Sequence, residues 1–264
     1  MSIDPTARIH ASAVIADGAV IGAGCTIGPF CVIGPDVVLG EAVELKSHVV
    51  IDGWTEVGTG TQVFPFACLG EVPQDLKFQG ERTRLIVGAR NRIREGVTMN
   101  TGTEGGGGVT RVGDGGLFMA NSHVAHDCQI GNRVVLANNV AIAGHCVLED
   151  EVIVGGLSGV HQFVRIGRGA MIGAVTMVTA DVIPHGLVQG PRGLLDGLNI
   201  IGLKRRGADR ADLHALRDLL SELAGGAFRD SARARAEEGI DNAYVREVLD
   251  FILGPSDRSF LTPR

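Results

Sequence analysis

The chain has 264 residues, enough for one large domain or two unequal ones with a substantial core. It contains 39 Gly but only 9 Phe, 1 Trp and 1 Tyr, so a β-sandwich or barrel with a core of aromatic rings is a poor fit. The formal charge of −6 gives no general attraction for nucleic acid or anionic membranes, and no window of 18 residues is continuously apolar. We therefore expect neither a nucleic-acid partner nor membrane insertion.

The first residues, Met-Ser-Ile-Asp-Pro-Thr, contain neither a basic segment nor an apolar one, so we expect a cytoplasmic protein. The five cysteines form no C-x-x-C pair. An odd number of cysteines without that spacing fits neither a disulfide framework nor a cysteine zinc site.

Apolar residues recur at every sixth position along most of the chain. The series covers positions 3–69 without a miss, resumes over 87–99, and continues over 112–178 after a shift of one residue. A six-residue period is typical of a parallel β-helix, with one short strand per hexad and three hexads per triangular coil. Residues 18 apart therefore lie one above the other, at about the 4.8 Å strand spacing.

Two further features follow the hexads. Glycine often comes directly after the apolar residue, as at Gly22, Gly131 and Gly155, and we expect positive φ at these corners. Four cysteines lie two residues before an apolar position, where we expect small core side chains facing inward and not reactive thiols. These are Cys25, Cys31, Cys128 and Cys146.

The periodicity divides the chain into two parts. We expect a β-helix over 1–191, with loop excursions at 70–85 and 103–110, and a smaller helical domain over 192–264. Helical patterns cover Asp209–Leu223 and Asp241–Leu253, the second opening with an aspartate cap. Long excursions from a rigid scaffold are often functional.

Four of the eight histidines fall within 39 residues: His123, His126, His145 and His161. Counting by coils places residues 126, 144 and 162 in one column and residues 127 and 145 in the next. The residues at these positions are His126, Gly144 and Gln162, and Asp127 and His145. The outer positions of a solenoid do not require histidine, so this cluster predicts a functional site.

Two chemistries suit such a cluster. A neutral histidine can accept a proton from a hydroxyl group while a carboxylate such as Asp127 orients its ring. Alternatively, three imidazoles can hold Zn²⁺ with a bound water as the nucleophile. The sequence favours the first, because Gly144 beside His126 offers an unobstructed N–H for an oxyanion.

Downstream of the cluster, the adjacent cations Lys204, Arg205 and Arg206 are candidates for a phosphate site in an otherwise acidic protein.

Taken together, the motifs closely resemble one family over essentially the whole chain. In chain order they are Gln74-Asp75-Leu76-Lys77, His123-x-x-His126-Asp127-Cys128, Gly131-Asn132-Arg133, Leu136-Ala137-Asn138-Asn139, Gly144-His145, Val160-His161-Gln162-Phe163 and Gly202-Leu203-Lys204-Arg205-Arg206-Gly207. The sequence resembles the acyl-[acyl-carrier-protein]–UDP-N-acetylglucosamine O-acyltransferase family of lipid A biosynthesis. Each motif alone is weak, whereas the ordered set is specific.

The resemblance implies a mainly β fold, a left-handed parallel β-helix with a C-terminal α-helical domain, assembled as a homotrimer with active sites between subunits. It implies transfer of a 3-hydroxyacyl group from acyl-carrier protein to the 3-hydroxyl of UDP-N-acetylglucosamine, the first step of lipid A biosynthesis. No cofactor, metal or covalent acyl-enzyme is implied.

The resemblance also assigns roles to residues of this chain. His126 is the expected general base, Asp127 its orienting partner, and the Gly144 N–H the oxyanion donor. The other assignments concern binding. The expected ligands of the sugar nucleotide are Asp75, Lys77, His123 and His145, and His161 is expected to help close the site.

The acyl chain is expected to contact Gln162 and Asn138, and the length of its groove to be limited by Ala174 and Met171. The expected ligands of the uridine and the phosphates are Asn199, Arg205 and Arg206.

Three other functions remain open at this point. An N-acyltransferase of the same pathway shares the need for a histidine base. The single helical C-terminal domain speaks against it, and because the hexads begin at residue 3 we expect no N-terminal sugar-nucleotide domain. A zinc-dependent β-helix of the carbonic-anhydrase type would contain stoichiometric zinc. A purely structural solenoid is disfavoured by the histidine cluster.

Overall fold

The computed structural model describes residues 2–224, 227–256 and 258–263. Most of these residues form a parallel β-helix with three faces, which we name A, B and C. Face A consists of Ser2–Ile3, Val20–Ile21, Val38–Leu39, Trp54–Val57, Arg84–Val87, Val109–Val112, Gln129–Ile130, Val147–Leu148 and Arg165–Ile166. Face B consists of Arg8–Ile9, Thr26–Ile27, Glu44–Leu45, Gln62–Val63, Arg92–Ile93, Leu117–Phe118, Val135–Leu136, Ile153–Val154, Met171–Ile172, Gly186–Gln189 and Leu194–Leu198. Face C consists of Val14–Ile15, Val32–Ile33, Val50–Ile51, Cys68–Glu71, Thr98–Asn100, His123–Val124, Ala141–Ile142, Gly159–Val160 and Met177–Val178.

The expected register is confirmed. Ser2 pairs with Val20, and His123 pairs with Ala141, each 18 residues further along the chain. The offset increases only where an excursion intervenes, as between Trp54 and Arg84. Most hexads contribute the repeat aliphatic and the residue two positions before it to a continuous core, as Val37 and Leu39 do. The fold is a mainly β, parallel β-helix, as the periodicity predicts.

The first excursion is shorter than predicted, and the second lies two residues earlier, over 101–108. Strands Cys68–Glu71 and Arg84–Val87 extend into the first, which leaves only residues 72–83 irregular. Leu85 is fully buried and pairs with Thr55, so the strands gain an extra inward residue at this level. The second excursion ends where strand Val109–Val112 begins.

The corner positions after the apolar residue require glycine for a different reason from the one expected. The expectation of positive φ directly after the apolar residue was wrong, because positive φ falls two residues later, as at Asp127 (61°) and His145 (62°). A Cβ on Gly22 would lie 2.7 Å from Gly40 backbone atoms, and one on Gly131 would lie 2.6 Å from the Asp150 nitrogen. These glycines therefore allow successive coils to approach closely.

The inward cysteines are core residues, as expected. Cys25, Cys31, Cys128 and Cys146 are all fully buried. Each thiol donates to a backbone carbonyl 15 residues further on, for example Cys128 to the carbonyl of Ala143 at 3.1 Å. Burial raises the pKa of the Cys128 thiol well above its usual value, so this thiol is a poor nucleophile.

Helices follow the β-helix. Within the described residues they are α1 (Ile200–Arg205), α2 (Arg210–Ala224), α3 (Phe228–Glu237) and α4 (Ala243–Leu253). The expected cap of α4 was wrong: Asn242, and not Asp241, accepts the N–H of Val245. α1 and α3 were not predicted, since α1 is short and α3 buries only Ala232. None of the described helices is long and apolar enough to cross a membrane, and a cytoplasmic location stays a prediction.

Candidate active site

The histidine cluster lies where the chain passes from face C to face A. We name this edge the CA corner; it consists of residues 125–128, 143–146 and 161–164. The predicted columns are present, because the N–H of His145 donates to the carbonyl of His126 and the N–H of Phe163 donates to that of Gly144. His126 is on the outer side of its coil but is not a surface residue, since it is only 6% exposed.

His126 and Asp127 form a hydrogen-bonded pair. His126 Nδ1 lies 2.8 Å from Asp127 Oδ2, and both side chains are nearly fully buried. With Nδ1–H donating to the carboxylate, Nε2 is the free basic nitrogen of the ring. This is the arrangement of a histidine whose ring is oriented by a carboxylate.

The carboxylate of Asp127 is fixed by the second excursion. The N–H of Thr103 donates to Oδ1 at 2.8 Å, and the Thr103 hydroxyl donates to Oδ2 at 2.6 Å. Thr110 Oγ1 accepts the backbone N–H of Asp127 at 2.7 Å. A 3₁₀ turn, Glu104–Gly106, then passes so close to the carboxylate that a Cβ on Gly106 would lie 2.1 Å from Asp127 Cγ.

The backbone of Gly144 lies against the ring of His126. A Cβ at this position would lie 2.5 Å from Cε1 and 2.6 Å from Nε2 of His126, so only glycine fits. Among the residues that the structure describes, no hydrogen-bond acceptor pairs with the Gly144 N–H. The backbone of Gly144, whose N–H has no partner in the described part of the chain, therefore lies against the ring that carries the free basic nitrogen.

His145 lies between His126 and an aromatic ring. Its ring meets His126 edge-on at 4.9 Å between centroids and stacks on Phe163 at 4.4 Å. Burial lowers the pKa of His145, although the nearby Asp127 carboxylate partly opposes the effect. Burial also lowers the pKa of His123, whose Nδ1 is 2.7 Å from the Thr98 hydroxyl. Both histidines are consequently neutral to a lower pH than usual.

Two recesses meet at the CA corner. The first, which we name the face C groove, is lined by small and apolar residues between His123 and Met177, including Ala141 and Gly159. Gln74, His126, Gly144, His161 and Gln162 also line it. The second, which we name the polar pocket, is lined by Asp75, Lys77, Phe78, Glu81, Thr103, Glu104, Gly105, His145 and Phe163. The first excursion thus brings Asp75 and Lys77 into one pocket with His145, while His123 lines the face C groove; that these residues hold a sugar nucleotide stays a prediction.

The predicted uridine and phosphate site, which consists of Asn199, Arg205 and Arg206, lies away from the CA corner. Asn199 caps α1 through the N–H of Gly202 and donates to the carbonyl of Gly169 at 3.0 Å. Arg206 Nη2 is 2.9 Å from Nδ1 of the buried His185. These contacts place the segment at the corner between faces A and B, so one chain does not bring Asn199, Arg205 and Arg206 to His126. Arg205 is exposed.

The predicted acyl-chain residues also lie away from the CA corner. Asn138 and Ala174 are exposed at the corner between faces B and C, where backbone hydrogen bonds link 138 to 157 and 156 to 175 in successive coils. Met171 lies on face B and pairs with Ile153 and Leu187, so it does not line the groove of its own chain. Met177, by contrast, closes the end of the face C groove.

The zinc alternative has a geometric basis in His126, Asp127 and His145, whose donor atoms lie within 4.8 Å of one another. However, both Asp127 oxygens already accept hydrogen bonds from Thr103, and Oδ2 also lies 2.8 Å from His126. A metal at this position would have to replace those contacts. That no metal takes part stays a prediction.

Sequence reasoning missed three residues of this corner. Phe163 is 18 residues after His145, so coil counting could have found it. Thr103 reaches Asp127 from an excursion, and Arg258 reaches His161 from the C-terminal segment at 2.8 Å. Neither position has a periodic relation to the corner. The excursion at 103–110 marks the segment that contains Thr103 but not its contact with Asp127, and no sequence signal marks Arg258.

Comparisons with known proteins identify the family. Residues 181–261 match the model for domain 2 of UDP-N-acetylglucosamine O-acyltransferases, and residues 2–35 and 18–53 match the six-repeat bacterial transferase hexapeptide model. The chain is 80% identical to the acyl-[acyl-carrier-protein]–UDP-N-acetylglucosamine O-acyltransferase of Paracoccus denitrificans over 203 residues, 76% of this chain and 77% of that relative. It is 52% identical to the enzyme of the same name from Rhizobium johnstonii over 264 residues, 99% of this chain and 97% of that relative.

The three-dimensional comparison agrees. UDP-N-acetylglucosamine acyltransferase from Campylobacter jejuni matches with a TM-score of 0.91 at 35% identity, covering 97% of this chain and 100% of that one. With the histidine site, the hexad fold and these full-length matches in agreement, the chain belongs to the acyl-[acyl-carrier-protein]–UDP-N-acetylglucosamine O-acyltransferase family.

Proposed function

We propose that this enzyme transfers a 3-hydroxyacyl group from the thioester of acyl-carrier protein directly to the 3-hydroxyl of UDP-N-acetylglucosamine, the first step of lipid A biosynthesis. The observation that carries the mechanism is the buried His126–Asp127 pair, with its free Nε2 beside the free N–H of Gly144. A base and an oxyanion donor side by side are what attack of a hydroxyl on a thioester requires.

In this mechanism, His126 Nε2 takes the proton of the sugar hydroxyl as its oxygen attacks the thioester carbon. Asp127 holds the ring and stabilises the imidazolium that forms. The Gly144 N–H stabilises the oxyanion of the tetrahedral intermediate. Collapse of the intermediate breaks the C–S bond, and the imidazolium returns the proton to the leaving thiolate.

The core position of the cysteines supports direct transfer without an acyl-enzyme. Cys128 is next to Asp127 in sequence but faces inward, is fully buried and donates to the carbonyl of Ala143. A thiol whose pKa is raised by burial is a poor nucleophile. The sugar hydroxyl is therefore the attacking group that we assign.

The two recesses suggest which substrate binds where. The face C groove suits an acyl chain, because Ala141, Gly159 and Met177 line it. The polar pocket suits the sugar nucleotide, with Asp75, Lys77 and His145 as hydrogen-bonding groups. Both recesses include residues next to His126, so the two substrates meet at its free nitrogen.

A homotrimer completes the proposal. Asn199, Arg205 and Arg206 cannot bind a nucleotide at the CA corner of their own chain, but the same residues of a second copy can. Among the three, Arg205 is our first choice for a phosphate ligand, since Arg206 already donates to His185. An acyl chain in the face C groove can be reached by Asn138, Ala174 and Met171 only if they too belong to a second copy of the chain.

The decisive experiment is incubation with UDP-N-acetylglucosamine and a panel of 3-hydroxyacyl carrier proteins, with the product identified by mass. We expect a single O-acylated sugar nucleotide. In the same assay, His126→Ala should lower kcat by about 10²- to 10⁴-fold, the usual loss for a general base. His214→Ala, at an exposed position of α2, is the matched control. Near-normal turnover by His126→Ala would refute the assigned base.

A further inference from the structure

The C-terminal segment contributes a side chain to the CA corner. Arg258 Nη2 lies 2.8 Å from His161 Nδ1 and 2.6 Å from the carbonyl oxygen of Gln162. Its Nη1 lies 3.4 Å from the carbonyl oxygen of Thr179. Arg258 is 97 residues from His161 in sequence, so only the fold brings the two together.

The segment around Arg258 is anchored on both sides. Ser256 Oγ donates to Asp181 Oδ2 at 2.7 Å, and the backbone of Asp181 pairs with Ser259 and Leu261 at 2.8 Å each. Asp181 itself is fully buried and accepts two hydrogen bonds from Arg165. Ser256, Ser259 and Leu261 are therefore held against the last coil, and this directs the Arg258 side chain to one place.

This contact determines the hydrogen position on His161. A guanidinium group can only donate hydrogen bonds. Nδ1 of His161 therefore accepts the Arg258 hydrogen bond through its lone pair, which places the ring hydrogen on Nε2. The Gln162 carbonyl oxygen also lies 3.3 Å from Nδ1, but it is nearer to the guanidinium, at 2.6 Å, and takes its hydrogen bond from there. His161 lines the face C groove, so Nε2–H is the donor that this ring can offer to a molecule bound there.

We propose that Arg258 is a positioning residue: it holds His161 as the Nε2–H tautomer, so that this histidine donates a hydrogen bond to an oxygen of the acyl donor. The proposal rests on the assignment of the face C groove to the acyl donor. The Gln162 carbonyl shares the same guanidinium nitrogen, so that Arg258 also fixes the backbone next to the ring.

The first test reads the tautomer without any activity assay. In ¹⁵N spectra of histidine-labelled protein, we expect His161 to show an unprotonated Nδ1 and a protonated Nε2 near neutral pH. Arg258→Met, which keeps side-chain length but removes the donor, should mix the two tautomers. Arg258→Gln, which keeps an N–H donor, should retain the wild-type pattern. A protonated Nδ1 in the wild-type protein, or a spectrum unchanged by Arg258→Met, would overturn the proposal.

The second test reads function. Arg258→Met should lower kcat/KM for the acyl-carrier protein by about 10-fold with little change in KM for the sugar nucleotide, and Arg258→Gln should recover part of it. Arg233→Met, at an exposed arginine of α3, is the control. In a His161→Ala background, Arg258→Met should change kcat/KM by less than about 2-fold. If Arg258→Met lowered kcat/KM equally in the wild-type and the His161→Ala proteins, Arg258 would not act through His161 and the proposal would fail.

These tests separate the proposal from the assigned reaction. If the wild-type protein forms no acylated sugar nucleotide, the proposed function fails while the tautomer can still be read. If turnover is normal and the tautomer is the opposite one, only the role of Arg258 fails. Thermal unfolding of each variant shows whether it still folds, and Arg258→Gln preserves the test should Arg258→Met unfold.

Discussion

Asp127 accepts three hydrogen bonds although its side chain is almost completely buried: two from Thr103 and one from His126. A buried carboxylate without such donors would incur a large desolvation cost. The Thr103 contacts therefore do two things at once. They make the buried charge tolerable, and they fix the oxygen that orients the His126 ring.

Removing the Thr103 hydroxyl should accordingly reduce catalysis more than substrate binding. We expect Thr103→Val to lower kcat by about 10- to 100-fold with little change in KM, because a hydrogen bond to a charged group contributes about 1.5 to 3 kcal/mol. Thr103→Ser should restore most of the rate. Thr101→Val, whose hydroxyl pairs with Thr83 and not with Asp127, is the control. Steady-state kinetics of the three variants test this prediction. Equal losses of kcat for Thr103→Ser and Thr103→Val would show that the Thr103 hydroxyl does not support catalysis.

The lowered pKa values of His123 and His145 make stability depend on pH. The folded pKa of each lies below the ordinary value of 6.5, so below about pH 6.5 the unfolded chain binds more protons than the folded one. The free energy of unfolding should therefore fall as pH drops from about 6.5 through the lowered pKa values, and level off below them.

Reversible denaturation at fixed protein concentration, repeated between neutral and mildly acidic pH, measures this effect. The double variant His123→Gln/His145→Gln should show a smaller fall over the same interval than the wild-type protein. The exposed His214→Gln should show the wild-type dependence. The same slope in the double variant would mean that other groups carry the pH dependence.

Among the elements, the glycine-rich 3₁₀ turn has a clear structural task. Gly106 packs directly on the Asp127 carboxyl group, whereas a Cβ on Gly105 would meet nothing within 4 Å. Neither glycine has positive φ, so alanine is compatible with both backbones. The two positions differ in their distance from Asp127, and of the two only Gly105 lines the polar pocket.

Gly106→Ala should therefore lower kcat strongly, by at least about 10-fold, because the turn or the carboxylate must move to relieve a 2.1 Å approach. Gly105→Ala lies in the polar pocket, so any effect should fall on KM for the sugar nucleotide, and kcat at saturating substrate should stay within about 2-fold of the wild-type value. Thermal unfolding should show that both variants fold. Similar kinetics for the two would indicate that the turn adapts freely and does not position Asp127.

The face C groove predicts how donor length is selected. His123, Ala141, Gly159 and Met177 occupy one row of successive strands, and Met177 ends the groove. Met177→Ala should shift preference toward longer 3-hydroxyacyl donors. Since each buried CH₂ contributes about 0.8 kcal/mol, donors two carbons apart should change in relative kcat/KM by about 10-fold.

Met177→Leu, which conserves volume, is the control for that shift. Ala174 tests the contribution of a second copy: Ala174→Gly should favour longer donors and Ala174→Met shorter ones. Competition assays with mixed donors measure all four variants. Unchanged donor profiles for Met177→Ala would show that the acyl chain ends elsewhere.

The difference between what the sequence could and could not predict follows from the repeat. Coil counting placed Gly144 beside His126, because the register is constant within uninterrupted coils. It could not find Thr103, since an excursion of variable length has no register with the coil it contacts. The position of Arg258 could not be predicted either, because docking of the C-terminal segment depends on long-range contacts with Asp181.

At the scale of the whole molecule, the predicted site residues lie on three different corners of one prism. His126 is at the CA corner, Asn199 and Arg206 contact the corner between faces A and B, and Asn138 is at the corner between faces B and C. A cyclic trimer can place one corner of a chain against a different corner of its neighbour. The positions of these residues thus favour sites formed between chains.

Subunit mixing tests that arrangement. His126→Ala and Arg205→Ala are each expected to be deficient, the second through a raised KM because a phosphate contact contributes uniform binding. If each site takes His126 from one chain and Arg205 from the next, a randomly mixed trimer regains intact sites. With equal amounts, about one quarter of the sites should pair two intact contributions. Assayed at low sugar-nucleotide concentration after joint refolding, the mixture should approach about one quarter of wild-type activity, while the variants refolded separately and then combined should not. A joint mixture no more active than the average of the two variants would place both residues in sites within single chains.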